Sequence, residues 1–221
     1  MEVINDYYVQ EQNNGIIKTF TRMFLGLLVT AIVSYLTYST GLFIRLPYGV
    51  LAIVELAVVL IFSFMFKKLS PTMVSVLFYT YAVINGLTMG TIFAVFNMNT
   101  IGFAFLTTAL LFGGLALYGY TTKKDLTKFG TIFTVALIVG LIVSIINLFL
   151  GNSMISIILD WVMLLVFCGL TAHDINNIKN MQNYVDCDND KIYVYCAMDL
   201  YLDFINIFIR LLSILGRTSR D

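Results

Sequence analysis

Charge is what this chain has least of. Lys, Arg, Asp and Glu together make up 12% of its 221 residues, and the two signs cancel. Soluble domains carry about 25%, so a water-facing globule with a charged skin is excluded. The balance also removes the basic footprint that nucleic-acid binding requires, and no basic tail supplies one. Proline is limited to Pro47 and Pro71, so little interrupts long helices. The three cysteines, Cys168, Cys187 and Cys196, form no CxxC pair and read as reduced thiols. One histidine, His173, and scattered thiols do not build a zinc site. No Ser or Cys has a base at a recognisable spacing, so hydrolysis by a nucleophile is not indicated. The expectation is a protein that is not an enzyme and carries no cofactor.

What is present is apolar: 59% of residues are hydrophobic. Runs of membrane-spanning length, about 17–25 residues, recur at 20–40, 48–66, 72–94, 100–120, 130–150, 154–174 and 192–215. The reading is an all-α polytopic membrane protein of seven transmembrane helices, one transmembrane domain over 1–221. Residues 1–17 are polar, with Glu2, Asp6 and Glu11 and no basic start. They read as a short tail, not a signal peptide. Lys18, Arg22, Lys67, Lys68, Lys123, Lys124, Lys128, Lys179 and Lys191 fall on one side of the membrane, against Arg45 on the other. The positive-inside rule puts the N-terminus in the cytoplasm. Arg217 and Arg220 conflict with this if the seventh span crosses fully. A re-entrant seventh helix would keep them inside, and the sequence leaves both open.

Acids inside such spans are expensive and mark ion paths or buried polar networks. Asp203 lies in the middle of the last span, in AMDLYLDFINIFIRLLSILG. Asp199, Asn206 and Arg210 share its helical face within an arc of roughly 60°. Arg210 is positioned to neutralise Asp203 or Asp199, or to reach the interface. Asp174 sits near the cytoplasmic end of the sixth span, with Asp160 and Thr171 on the same face. Should the sixth and seventh helices pack antiparallel, Asp174 and Asp203 point into one interior. Two carboxylates at hydrogen-bond distance share one proton. Losing it leaves two like charges that repel and can ligate a hard cation such as Ca²⁺ transiently. A fixed, purely structural pair is the alternative. Glu55 lies inside the second span with no local partner, as an ion-path residue or a buried acid bonded to a neighbouring helix. Asp186, Asp188 and Asp190 imitate half of an EF-hand loop, but Lys191 replaces the required glycine and Ala197 the glutamate. That segment reads as a solvated acidic connection. His173 points about 100° away from Asp174 and could modulate a pH response. Gly86, Gly90, Gly113 and Gly114 are expected at close helix contacts. Trp161 is expected in the core or at the interface.

At Asp174 and LYLDFINIF the chain resembles the Bax inhibitor family, the transmembrane Bax-inhibitor-motif proteins, above all its bacterial calcium-leak members. The resemblance covers the whole chain: a short tail, seven hydrophobic segments, Asp174 followed by Ile178 and Lys179, then Leu200 to Asn206. It implies six helices around a central seventh. It also implies a pH-gated Ca²⁺ leak controlled by a di-aspartyl pair, here Asp174 and Asp203, with Glu55 at the glutamate of the second helix. Two departures stand out. Asp199 occurs where relatives carry a small or apolar residue, and Phe66 stands where a relative has an arginine that can pair with the first aspartate. Lys67 and Lys68 follow it, as imperfect substitutes.

The expected function is therefore a pH-sensitive calcium leak in a bacterial plasma membrane. Its partners are calcium ions, protons and the bilayer, and a monomer is expected with an oligomer left open. Coupled Ca²⁺/H⁺ exchange is one alternative. An intramembrane aspartyl protease is another, but GxGD and PAL motifs are missing. A non-conducting interaction protein is the third.

Overall fold

Residues 2–180 and 189–218 are described by a computed structural model, and among them every regular element is a helix. In chain order these are α1 (Glu2–Ser39), α2 (Tyr48–Met65), α3 (Pro71–Met89), the single turn α4 (Ile92–Val95), α5 (Met98–Thr121), α6 (Thr127–Leu150), α7 (Ser153–Asn180) and α8 (Asn189–Thr218). Short 3₁₀ turns at Leu42–Ile44 and Phe66–Lys68 join α1 to α2 and follow α2. Local chemistry sets the breaks. Ser70 accepts a bond from the Met73 N–H, and Pro71 opens α3 where a missing N–H is harmless. Gly151 closes α6 at φ 64°, a left-handed conformation that glycine adopts without strain.

Six segments are long and apolar enough to cross a membrane: 14–39, 48–65, 71–95, 98–121, 127–150 and 153–178. Their outer faces fit a lipid solvent, since Phe64, Leu148 and Phe149 are each more than four-fifths exposed. α8 is the exception. It is one unbroken helix of 30 residues, about 45 Å long, which exceeds a hydrocarbon core of about 30 Å. Yet it carries Asp199, Asp203, Arg210 and Arg217, and no residue from Lys191 to Arg217 is exposed. A polar helix shielded by protein at membrane depth satisfies the rule that excludes polar groups from lipid.

Three boundaries differ from expectation. α1 begins at Glu2, so the polar tail continues the first span as helix. The third span breaks at Gly90, whose N–H is shared by the Gly86 and Leu87 carbonyls before α4 starts. α7 extends beyond 174 to Asn180, which places Asp174 within the helix instead of at its end.

The chain divides into two compact units. The first contains residues 1–97 and 182–201, so it takes α1 to α4 and the start of α8. There α3 packs on α1 and α2. Gly86 faces the Thr30 carbonyl and Val33 so closely that a Cβ would sit 2.8–2.9 Å from them. The second contains residues 98–181 and 202–221, with α5 and α6 both packed on α7. There Gly119 presses on the Ala172 carbonyl. Gly86 and Gly90 thus serve close packing as expected. Gly113 and Gly114 do not, because nothing lies within 4 Å of a Cβ at either.

Candidate ion-path residues

In the second unit, α7 and α8 run antiparallel and are fastened by Asp160. Its Oδ1 accepts from Arg210 Nη1 at 2.9 Å; its Oδ2 accepts from Ser213 Oγ at 2.7 Å and Arg217 Nη2 at 2.6 Å. Asp160 is buried, with Arg210 one-fifth and Arg217 two-fifths exposed. Two guanidiniums on one carboxylate leave a net positive cluster. Arg210 therefore serves Asp160 rather than Asp203 or Asp199. The reason is distance: seven residues along one helix separate Arg210 from Asp203 by about 10 Å, while Asp160 lies directly across. The pair also accounts for Arg217, which ends α8 against a buried anion and not as a bare charge.

Ser213 has a short side chain, so its bond to Asp160 fixes the register well. Asp174 is about 21 Å along α7 from Asp160, and Asp203 about 15 Å back along α8 from Ser213. The two acids are thus offset by about one helical turn. Asp203 is 4% exposed and within electrostatic reach of the Cys168 thiol on α7. Phe105 and Phe112 of α5 meet the Phe204 ring edge-on beside it. Asp174 is half-buried, and its Oδ1 lies 2.8 Å from His173 Nδ1. The two side chains fold toward each other despite the divergence of their Cβ directions. Gly130 of α6 makes room, since the imidazole fills the place a Cβ would take.

The first unit holds a different arrangement. Thr88 Oγ1 donates to Glu55 Oε1 at 2.7 Å, and the Asn85 amide also bonds that carboxylate. Asn85 Oδ1 accepts from the Tyr201 hydroxyl at 3.1 Å, and that hydroxyl lies 2.6 Å from Thr30 Oγ1. Thr30 Oγ1 in turn donates to the Ala82 carbonyl at 2.9 Å. A polar chain from α2 through α3 and α8 to α1 results. Glu55, read from sequence as lacking a partner, has two.

A family profile described as "Inhibitor of apoptosis-promoting Bax1" matches residues 12–220. The chain belongs to the Bax inhibitor family. "Inner membrane protein YbhL" of Escherichia coli (strain K12) is 37% identical over 204 residues, 88% of this chain and 87% of the relative. An uncharacterized membrane protein of Streptococcus pyogenes serotype M3 is 33% identical over 231 residues, 98% of this chain and all of the relative. An uncharacterized protein of Borreliella burgdorferi is 31% identical over 219 residues, 95% and 94%.

The remaining candidates of this Bax inhibitor family protein fall as follows. Asn206 spends its amide on the Leu202 carbonyl of its own helix, at 2.8 Å. Asp199 is half-buried and falls in the first unit, one helical turn before Asp203 along α8. Asp186, Cys187 and Asp188 lie outside the described residues. Asp190 is not a free loop acid, because Lys18 (3.5 Å) and Arg22 (3.4 Å) of α1 hold its carboxylate. The Phe66 ring meets Tyr195 at a tilt of 56° with centres 4.6 Å apart, and the Lys191 ammonium lies 4.8 Å from its ring centre. Trp161 is half exposed. Among the described residues no three His, Cys, Asp or Glu side chains gather as a metal site. Sequence reasoning missed Thr30, Asn85, Thr88 and Tyr201. Such hydroxyls and amides inside apolar runs are common in membrane helices, so only the contact with Glu55 distinguishes them.

Proposed function

We propose that this protein is a pH-sensitive calcium leak of a bacterial plasma membrane, with its N-terminus cytoplasmic, and that Asp174 and Asp203 are its gate and sensor. The observation that supports the reading is a buried carboxylate, Asp203, on a polar helix that is bonded to α7, the helix that carries Asp174. Intramembrane acids are functional candidates by default, and the family resemblance adds the calcium chemistry.

In the closed form one proton is shared by the two carboxyls and draws α7 and α8 together. When pH rises that proton leaves, the like charges separate, and two hard oxygen donors become available to a passing Ca²⁺. The latch is therefore present at lower pH and lost as pH rises, so flux increases with pH. His173, whose Nδ1 lies 2.8 Å from Asp174 Oδ1, is the side chain that positions this carboxyl. Ca²⁺ here is cargo, held weakly enough to leave.

The test is influx into liposomes loaded with a Ca²⁺-sensitive dye, from pH 6 to 8, for the parent and Asp203→Asn. Flux that climbs with pH in the parent and is flat in the variant supports the gate. A variant that tracks pH as the parent does removes Asp203 from it, and proton counterflow matched to Ca²⁺ entry would indicate exchange instead of a leak.

A further inference from the structure

The second unit has a cleft that the ion path does not use. It encloses about 280 Å³ between α5, α6 and α7. Its wall is apolar, with Tyr118, Leu126, Phe129 and Phe133 facing Cys168 and Ala172. That is slightly below the usual span of sites that engulf a small molecule, roughly 300–1,000 Å³, and suits part of one acyl chain. Gly169 keeps it open, because the Phe133 ring lies over the place where a Cβ would stand.

One end of the cleft reaches the turn between α5 and α6. Tyr118 is one turn from the end of α5, and Leu126 directly precedes α6. That turn bears Lys123, Lys124 and, just inside α6, Lys128, all exposed. The one acid there is Asp125. Thr127, through its side chain and its backbone N–H, holds the Asp125 carboxyl below the usual carboxylate range, so it stays ionised. Three cations against one anion leave the rim positive at neutral pH. An apolar slot at membrane depth with a basic rim at the water boundary matches the two halves of an anionic lipid. Basic pockets between helices select anionic headgroups in this way.

We propose that the α5–α6–α7 cleft is a binding site for a phospholipid with a negatively charged headgroup: one acyl chain enters between Tyr118, Phe129 and Phe133, and the phosphate meets Lys123, Lys124 and Lys128. The cleft adjoins the proposed gate, because His173, bonded to Asp174, also lines it, but neither Asp174 nor Asp203 does, and lipid retention is read without calcium flux.

The test uses the full chain, purified and delipidated. Phosphatidylglycerol, phosphatidylcholine of equal chain length and inorganic phosphate are each added. Retention is read by native mass spectrometry for the parent and for the triple variant Lys123→Gln, Lys124→Gln, Lys128→Gln. Protection of the Cys168 thiol from an apolar maleimide is read in a Cys187→Ser, Cys196→Ala background. Selective retention of phosphatidylglycerol is expected, weakened about tenfold or more in the triple variant, with Cys168 labelling slowed by that lipid alone. The lysine changes are exposed and leave the fold intact, which retained melting behaviour verifies. Equal retention of both lipids, an unchanged preference in the triple variant, or Cys168 labelling indifferent to lipid would each overturn the site. Protection by inorganic phosphate as strong as by the lipid would overturn the acyl-chain part.

Discussion

The two ends of α8 meet different kinds of polar company. Its first stretch, in the first unit, places Tyr201 in a chain of hydroxyls and an amide that ends at Glu55. Its second stretch, in the second unit, places Arg210, Ser213 and Arg217 on the buried Asp160. The first is mostly uncharged, with each member contributing a modest hydrogen bond. The second concentrates full charges, where losing one partner leaves another uncompensated. A helix can therefore be polar throughout and still owe its position to small terms at one end and to a few large ones at the other. Asp203, buried, lies between them along the helix.

The largest expected effect is on function. Asp203→Asn should remove most of the pH dependence of Ca²⁺ flux, measured in dye-loaded liposomes across pH 6 to 8. If the dependence resides in the hydroxyl chain instead, Glu55→Gln will flatten the profile and Asp203→Asn will not.

Stability comes next. Asp160→Ala strands Arg210, and breaking a buried pair costs about 3–5 kcal/mol. Partial exposure of both arginines places the expected loss at the lower end. Thermal unfolding in detergent should show a clear fall in Tm, and a fall no larger than that of Tyr201→Phe would erase the contrast between the two ends. Tyr201→Phe removes one hydroxyl between Thr30 and Asn85 and should cost about 1 kcal/mol by the same measurement. Arg217→Ala, at the exposed rim of the charged cluster, should cost less than about 1 kcal/mol.

The smallest effect concerns His173. His173→Gln removes the ring that bonds Asp174 and lies where a Gly130 Cβ would stand. The flux profile should change less than in Asp203→Asn, and a change as large would place His173 in the gate itself.

Much of this was legible in the residues. Apolar runs of bilayer length specify spanning helices wherever they occur, because backbone polar groups in lipid must be satisfied within the segment. Asp203 announced itself by cost alone, and the Leu200–Asn206 signature carried the family. The partner of Arg210 was not legible, since Asp160 is 50 residues away in sequence. Nor was the chain through Tyr201, whose members are ordinary residues of apolar helices until they meet.

Local composition and a contiguous motif are enough to make this a helical membrane protein of the Bax inhibitor family whose last helix carries acids within an apolar run. Helix packing is what brings Arg210 and Arg217 onto Asp160, ties Glu55 to Thr88 and Asn85, and seats His173 against Asp174 beside Gly130. Those outcomes depend on the rotation and register of packed helices, which are set by contacts between residues far apart in the chain.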